Sequence, residues 1–166
     1  LVCLSRPMAD ADGQTVPPPA VTNFLRSLMQ ESELMVSEGE TRDFSLLAKV
    51  DFAHSVFAPL SDPRFNDFSK LRFWSHRQVA LPADSPVLSV ASFDNQAPLL
   101  LEAARGSGRV WLLTAGWQPT ASGLGLSSKF IPILTGLIDQ QNSRTPPQPS
   151  KSSTSTKVIS HRCELL

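Results

Sequence analysis

The sequence is poor in several features that would point directly to a function. It has only two cysteines, Cys3 and Cys163, near opposite ends, so neither a disulfide framework nor a cysteine metal cluster is expected. Its 15 basic residues balance its 15 acidic residues, which leaves no net charge to attract nucleic acid or an anionic membrane. The composition therefore predicts no nucleic-acid partner.

Long hydrophobic runs are also absent. The longest apolar stretches, such as "APLLLEAA" at 97–104, fall far short of the roughly 18 residues that a transmembrane helix needs. A length of 166 residues suffices for one domain with its own apolar core. After about residue 142 the chain consists mostly of Ser, Thr, Pro, Gln and Lys, which cannot bury enough apolar surface to fold. We predict one domain over 1–142 and a disordered tail over 143–166.

The stretch "SGLGLSSKFIP" at 122–132 has glycines, hydroxyls and a lysine in an order that suggests a phosphate loop. A Walker motif requires G-x-x-x-x-G-K-[ST], whereas Lys129 follows Gly125 by four residues and precedes Phe130. A helix cap by Ser127 or Ser128 is the simpler interpretation. The alternative is a small ligand or anion bound at the start of the following helix by Ser127, Ser128 and Lys129.

Catalytic and metal motifs are not found either. The histidines at 54, 76 and 161 lack the H-x-x-x-H or H-E-x-x-H spacing of zinc sites, so no metal and no cofactor are predicted. A triad of Asp51, His54 and Ser55 is not expected, because no G-x-S-x-G elbow exposes a nucleophile. The glycines of "RGSGR" at 105–109 precede a strand and so indicate a hairpin turn rather than a dinucleotide fingerprint.

Hydrophobic periodicity predicts the secondary structure. The first residues, 1–5, indicate a short buried strand, and residues 6–18 and 31–42 indicate loops. A helix over 19–30 has apolar residues at helical spacing, namely Val21, Phe24, Leu25 and Leu28. Residues 70–81 alternate like a strand, whereas "SLLAKVD" at 45–51 is compatible with a strand or a helical turn.

The clearest pattern is a series of three antiparallel strands over 86–94, 98–104 and 110–115. A helix over 127–141 then presents an apolar face to the sheet, formed by Phe130, Ile133, Leu134, Leu137 and Ile138. Aromatic residues alternate with polar ones, which favours a packed core over a surface that stacks ligands. These aromatic residues are Trp74, Trp111, Trp117, Phe52, Phe57, Phe65, Phe68 and Phe73.

Four spaced motifs are more specific than any of these patterns. They are similar to "D-F-x-H-P-x-F", "F-D-D-G-x-P-L-L-x-E", "G-x-G-R-V-x-L-L-T-x-x-x-x-P" and "L-S-x-x-F-V-P-L-L". The matching positions include Asp51, His54, Phe57, Asp94, Glu102, Gly106, Gly108, Arg109, Pro119, Phe130 and Pro132. Ser55 departs from the first pattern, and "DNQ" replaces "DDG" in the second. The motifs span about residues 45–140.

In these motifs the chain resembles the class I glutamine amidotransferase-like domain of bacterial membrane proteins that also have an aerotolerance-regulator-type N-terminal region and a von Willebrand factor A domain. The resemblance implies an α/β fold, namely a partial flavodoxin-like or glutamine amidotransferase-like three-layer domain. It implies a β-hairpin extension at about 86–115 and a C-terminal packing helix. The motif residues are then architectural.

The resemblance also implies that the chain has the fold of a glutamine amidotransferase and does not catalyse the hydrolysis of glutamine. True glutamine amidotransferases use a cysteine in a tight elbow and a downstream His-x-Glu, whereas H-x-E does not occur in this sequence. In the family, "LVCLS" is similar to a middle strand of the sheet. We therefore expect the C-terminal half of a larger domain, with one sheet edge exposed unless a partner covers it. The predicted function is a non-enzymatic structural or interaction module, with the missing half of the parent domain or a von Willebrand-type module as its protein partner.

Overall fold

The computed structural model describes residues 1–4, 19–39, 41 and 43–139, which form a mixed α/β fold rich in β-sheet. The predicted tail at 143–166 and the predicted loop at 6–18 lie outside these residues. The helices are α1 (Pro19–Met29) and α2 (Phe130–Asp139). The strands are β1 (Val2–Cys3), β2 (Met35–Glu38), β3 (Ser45–Val50), β4 (Arg72–Phe73), β5 (Arg77–Ala80), β6 (Leu88–Phe93), β7 (Pro98–Arg105) and β8 (Gly108–Leu113).

Six of the strands form one sheet in the order β1-β8-β7-β6-β3-β4. The pairs β8–β7, β7–β6, β6–β3 and β3–β4 are antiparallel, and only β1 is parallel to its neighbour β8. The three predicted antiparallel strands are therefore confirmed as β6, β7 and β8. They are the centre of the sheet, however, and not an extension of it, because other strands pair on both sides.

The turn between β7 and β8 depends on one glycine. Arg105 pairs with Gly108, so Gly106 and Ser107 form a two-residue connection. Gly106 has a φ of 56°, a left-handed conformation that glycine adopts without steric cost. This turn confirms the hairpin interpretation of "RGSGR".

Apolar side chains cover both faces of this sheet, because successive residues of a strand point to opposite sides. On one face, Leu101 and Leu112 pack with Leu25 and Met29 of α1. On the other face, Leu100 and Trp111 belong to a larger cluster that includes Ile133 of α2. The sheet is thus buried between two apolar clusters, which we call the α1 face and the α2 face.

Two parts of the predicted secondary structure are wrong. The predicted loop at 31–42 contains β2, which pairs with β5 in a separate two-stranded sheet. The single strand predicted at 70–81 is two strands, and they pair with different partners. Residues 74–76 interrupt the alternation between them, so β4 joins the large sheet and β5 joins β2. Residues 45–51, left open between strand and helical turn, form β3.

The helices follow their predicted ranges closely, but their buried faces are narrower than predicted. In α1, Leu25 and Met29 are buried, whereas Phe24 is 57% exposed. In α2, Ile133 and Leu137 are buried, whereas Ile138 is 57% exposed. The inward face of each helix is therefore narrower than the set of apolar residues in its sequence.

The predicted aromatic core is only partly present. Four members of the predicted set are buried, namely Trp111, Phe57, Phe68 and Phe73. Phe52 is half-buried, and three members are exposed, namely Trp74, Trp117 and Phe65. Trp74 directly follows the fully buried Phe73, and alternation along the chain turns its side chain outward. The aromatic residues are thus divided between the core and the surface.

Candidate functional site

A cluster of polar residues lies on the α2 face at the centre of the sheet, and we call His54, Glu102 and Arg109 the sheet-centre cluster. Glu102 on β7 is 5% exposed and lies directly opposite Trp111 on β8. Its carboxylate accepts a hydrogen bond from Nε2 of His54 at 2.8 Å and forms an ion pair with Arg109. The sequence predicted these three residues as separate architectural positions, and the structure brings them together.

A tight turn before the short 3₁₀ helix Ala58–Leu60 positions His54. The Asp51 amide donates to the Val90 carbonyl of β6 at 3.0 Å, which anchors the turn to the sheet. Asp51 Oδ1 accepts the Ala53 amide at 3.0 Å, and the Asp51 carbonyl accepts the His54 amide at 3.2 Å. The short polar side chain of Asp51 thus stabilises the turn in the manner that aspartate favours.

Both ring nitrogens of His54 are occupied. Nδ1 accepts the Val56 amide at 3.3 Å, so the proton lies on Nε2, which donates it to Glu102. The imidazole edge also contacts the Trp111 ring at a centroid distance of 5.6 Å. The Asp51 carboxylate binds Ala53, and Ser55 lines an open surface groove of about 430 Å³ beside α2. The residues of a triad are therefore present without the hydrogen bonds that a triad requires.

Cys3 has the environment of a structural thiol. Its Sγ donates to the Ala115 carbonyl at 3.3 Å, and its side chain is half-buried. Burial raises the pKa of the Cys3 thiol above its ordinary value, and a backbone hydrogen bond at Trp117 opposes this only in part. A raised pKa keeps sulfur in the less nucleophilic thiol form.

The segment before α2 forms the predicted cap. Ser127 Oγ accepts the Lys129 amide at 3.2 Å, and the Ser127 carbonyl accepts the Phe130 amide at 3.0 Å. Lys129 Nζ lies 5.3 Å from the centre of the Phe68 ring, and Ser128 is exposed. Ser127 and Lys129 thus already have partners within the chain. Anion binding by Ser127, Ser128 and Lys129 stays a prediction.

The other motif residues stabilise turns and the core. Phe57 is buried, and Asp94 Oδ1 accepts the Asn95 amide at 3.1 Å in the β6–β7 turn. Phe130 contacts Trp117 at a centroid distance of 5.8 Å, whereas Pro119 is exposed. Pro132 lies in the first turn of α2, where its missing amide costs no helical hydrogen bond. The architectural roles of these residues stay a prediction.

His76 is a buried histidine that the motifs did not single out. It is 3% exposed, and its ring lies 4.4 Å from that of Phe93. Asn95 Oδ1 accepts the Ala97 amide at 3.0 Å, so Asn95 Nδ2 points to His76 Nε2 at 3.2 Å and donates to it. Burial lowers the pKa of His76 below 6.5, and the charge of Asp94 opposes this shift. The ring is therefore held in its neutral form.

The two outer strands of the large sheet differ in how they are covered. At β4, the Trp74 amide donates to the Ala121 carbonyl at 2.9 Å, and the Gly123 amide donates to the Arg72 carbonyl at 2.9 Å. Residues 121–123 therefore cover this edge. At the other edge, β8 is the only strand that pairs with β1 in the part of the chain that the structure describes.

On one side of β1, no described strand forms backbone hydrogen bonds. The Leu4 amide donates to the Leu113 carbonyl of β8 at 2.9 Å. Because successive amides of a strand point in opposite directions, the Cys3 amide points away from β8. Side chains alternate in the same way: Cys3 packs on the α2 face, and Val2 and Leu4 pack on the α1 face. The edge thus presents hydrogen-bonding groups between two apolar layers.

Comparison with protein-family models, curated proteins and solved structures finds no match to this chain. The family resemblance drawn from the motifs therefore stays a prediction. Within residues 1–4, 19–39, 41 and 43–139, no group of three or more His, Cys, Asp or Glu side chains is arranged to hold a metal ion. No helix in the same residues is long and apolar enough to cross a membrane.

Proposed function

We propose that this chain is a non-enzymatic protein-interaction module that binds an extended segment of a partner protein along β1. The observation that carries the proposal is the one-sided pairing of β1 among the described residues. Unpaired edge strands are templates for additional strands, and proteins that avoid such pairing cover their edges. Residues 121–123 cover β4 in this way, whereas none of the described residues covers the outer side of β1.

The composition of the edge supports a protein partner. Leu1 is 50% exposed and Trp117 is 37% exposed beside β1, while Val2 and Leu4 are half-buried. An added strand would lie between the α1 face and the α2 face and would need apolar side chains on both sides. The partner segment in our proposal is a short, nearly continuous apolar strand.

Two features support a module without catalytic activity. The nitrogens of His54 are both used in hydrogen bonds within the chain, and the pKa of Cys3 is raised by burial. A general base needs an available nitrogen, and a cysteine nucleophile needs thiolate character. The sheet-centre cluster in this proposal joins the turn at 51–57 to β7 and β8.

The finer fold identity is also part of the proposal. The parallel β1–β8 pair and the apolar clusters on both faces support a flavodoxin-like, glutamine amidotransferase-like sheet. The antiparallel pairs β8–β7, β7–β6, β6–β3 and β3–β4 depart from the parallel pairing of that fold. We therefore propose that the module belongs with the von Willebrand factor A-associated membrane proteins that its motifs resemble. The architectural positions of Phe57, Glu102 and Phe130 agree with this assignment.

Hydrogen exchange of two neighbouring amides tests the open edge without a ligand. We expect the Leu4 amide to be protected by its bond to Leu113 and the Cys3 amide to exchange much faster. A peptide with the sequence of residues 108–115, GRVWLLTA, then serves as an added strand, because this sequence already pairs with β1 from the other side. Binding of the peptide is expected to protect the Cys3 amide.

Proline variants supply the matched control. Cys3→Pro removes the outward amide and retains the Leu4 bond to β8, so it should abolish peptide binding while the protein stays folded. Cys3→Ala should bind the peptide as the wild type does. Equal protection of the Cys3 and Leu4 amides in the peptide-free protein would show that another part of the chain covers the edge, and the proposal would be wrong.

A further inference from the structure

His76 lies where the two sheets of the molecule meet, and we call the pair of strands β2 and β5 the small sheet. His76 directly precedes β5, and its carbonyl accepts the Gly39 amide, which follows β2, at 2.9 Å. Its ring contacts the Phe93 ring of β6 at a centroid distance of 4.4 Å. The next amide, that of Arg77, donates to the Thr114 carbonyl after β8 at 2.7 Å. His76 therefore joins one end of the small sheet to the large sheet.

The imidazole ring of His76 is tightly enclosed. The residue is only 3% exposed, and a β-carbon at Gly39 would overlap the ring. Glycine at this position thus allows the backbone after β2 to approach the ring closely. Because the ring is packed in this way, it must move before water can solvate it.

The hydrogen bonds of the ring fix the position of its proton. Asn95 Oδ1 accepts the Ala97 amide at 3.0 Å, so Asn95 Nδ2 donates to His76 Nε2 at 3.2 Å. A neutral imidazole that accepts at Nε2 has its proton on Nδ1. His76 Nδ1 is buried and has no hydrogen-bond partner among the described residues. Since an unsatisfied buried donor costs free energy, packing rather than hydrogen bonding holds the ring in place.

A second proton does not fit this arrangement. Protonated Nε2 is a donor, and it would face the Asn95 amide group, which is also a donor. Asn95 cannot present its oxygen instead without losing the bond to the Ala97 amide. A charged ring would also be buried without a hydrogen-bonding partner, which is strongly unfavourable.

The surrounding charges do not compensate for this cost. Asp94, in the turn after β6, is the acidic group whose charge acts on the ring, and burial lowers the pKa of His76 more than Asp94 raises it. Glu38 precedes Gly39 and Arg77 follows His76, and these two side chains form an ion pair with each other across β2 and β5. Protonation therefore favours a ring that has left its buried position.

We propose that His76 is a pH-sensitive switch: uptake of a proton moves its ring out of the contact with Gly39 and Phe93, and this end of the small sheet opens away from the large sheet. The opening is local, because Val36 and Val79, further from His76, pack in the cluster on the α1 face. The inference goes beyond the proposed function and does not depend on strand addition at β1. It gives the module a response to acid.

Hydrogen exchange of three amides tests the switch in the whole chain. The Gly39 and Arg77 amides report opening, and the Thr114 amide, bonded to the Leu99 carbonyl at 2.9 Å, reports the large sheet. Rates are divided by those of unstructured peptides at each pH to give protection factors. We expect Gly39 and Arg77 to be less protected than Thr114. Their protection should fall roughly five- to tenfold from pH 7.5 to 5.5, because the opened ring takes up a proton near its ordinary pKa of about 6.5.

Asn95→Asp provides the matched variant. It keeps an oxygen for the Ala97 amide and places a second acceptor next to His76 Nε2, so the charged ring gains a partner in the closed position. Asn95 is exposed, and the new carboxylate stays in contact with water. The acid-induced loss of protection at Gly39 and Arg77 should disappear or reverse. In His54→Gln, which keeps a donor for Glu102, the loss should remain as in the wild type.

Three results would overturn the switch. Equal protection of Gly39, Arg77 and Thr114 at both pH values would show that the two sheets separate only on global unfolding. An undiminished acid response in folded Asn95→Asp would assign the response to another group. Should Asn95→Asp fail to fold, nuclear Overhauser contacts between the His76 and Phe93 rings of the wild type are followed through the titration of His76, and their persistence in the charged form would exclude the movement.

Discussion

The two edges of the large sheet differ in a way that composition alone would not suggest. Beyond β4, residues 121–123 supply backbone partners, and Phe73 is fully buried. Beyond β1 no described strand follows, and Val2 and Cys3 are half-buried. Edge pairing is a hazard that proteins usually prevent. At β4 the chain supplies its own cover, and at β1 our proposal assigns the cover to a partner strand.

The largest expected effect comes from comparing one core residue at each edge. Phe73→Ala should lower the free energy of unfolding by about 3–5 kcal/mol, because Phe73 is fully buried and contacts Phe93. Val2→Ala should cost about 1 kcal/mol or less, because Val2 is only half-buried in the isolated chain. Urea unfolding measures both. Similar losses for the two variants would mean that β1 is covered as well as β4.

Substitutions in the sheet-centre cluster provide a reference for the substitutions at the two edges. Glu102→Gln should lower the free energy of unfolding by about 1–3 kcal/mol, because it weakens the buried bonds to His54 and Arg109. Arg109→Gln should cost less, because the Arg109 side chain is 51% exposed. Peptide binding at β1 should be unchanged in both variants. Loss of that binding in folded Glu102→Gln would contradict a purely architectural role for the cluster.

The difference between the edges can be reduced by removing one of the backbone hydrogen bonds that cover β4. Gly123→Pro deletes the amide that donates to the Arg72 carbonyl, and the φ of −78° at Gly123 is compatible with proline. We expect a loss of about 1 kcal/mol or more from the unpaired carbonyl, together with new self-association. Analytical ultracentrifugation measures the latter. Gly123→Ala keeps the amide and should match the wild type in stability and in self-association. Self-association of Gly123→Ala would show that the lost hydrogen bond is not its cause.

Acid should lower the free energy of unfolding through His76, which follows β4, and this effect should be smaller than those of the substitutions above. Because the pKa of His76 is lower in the folded state, the unfolded state binds more protons as the pH falls through about 6.5. Neutral His76 therefore contributes fully to the free energy of unfolding above this pH, and this contribution is lost as the pH falls below it. Urea unfolding at pH 7.5 and 5.5 should show a decrease that is smaller in His76→Gln. An equal decrease in both proteins would assign the effect to other groups.

Patterns with short sequence separation were predicted most reliably. The alternation in residues 86–115 and the turn at Gly106 are local, and the hairpin strands formed as expected. The helix ranges were also nearly correct, because Pro at the start of α1 and Ser127 before α2 mark helix beginnings locally. β2 was missed because four residues of mixed polarity give no clear period.

The sheet-centre cluster shows what such patterns do not contain. His54 and Glu102 are 48 positions apart, and no spacing rule relates a turn residue to a strand residue at that separation. The motif resemblance marked both positions, and it did not indicate that they touch. A glutamate within the apolar strand "PLLLEAA" was the available signal, because a buried carboxylate requires a partner.

Periodicity and turn chemistry act within a few residues, so sequence patterns were enough to predict two helices, three antiparallel strands and a glycine turn. The three-dimensional structure was needed to establish that residues 121–123 cover β4 and that β1 lies parallel to β8 at the opposite edge. It also placed Glu102 between His54 and Arg109. Such pairings join distant segments, and their stability depends on packing across the whole sheet rather than on the preference of any one segment.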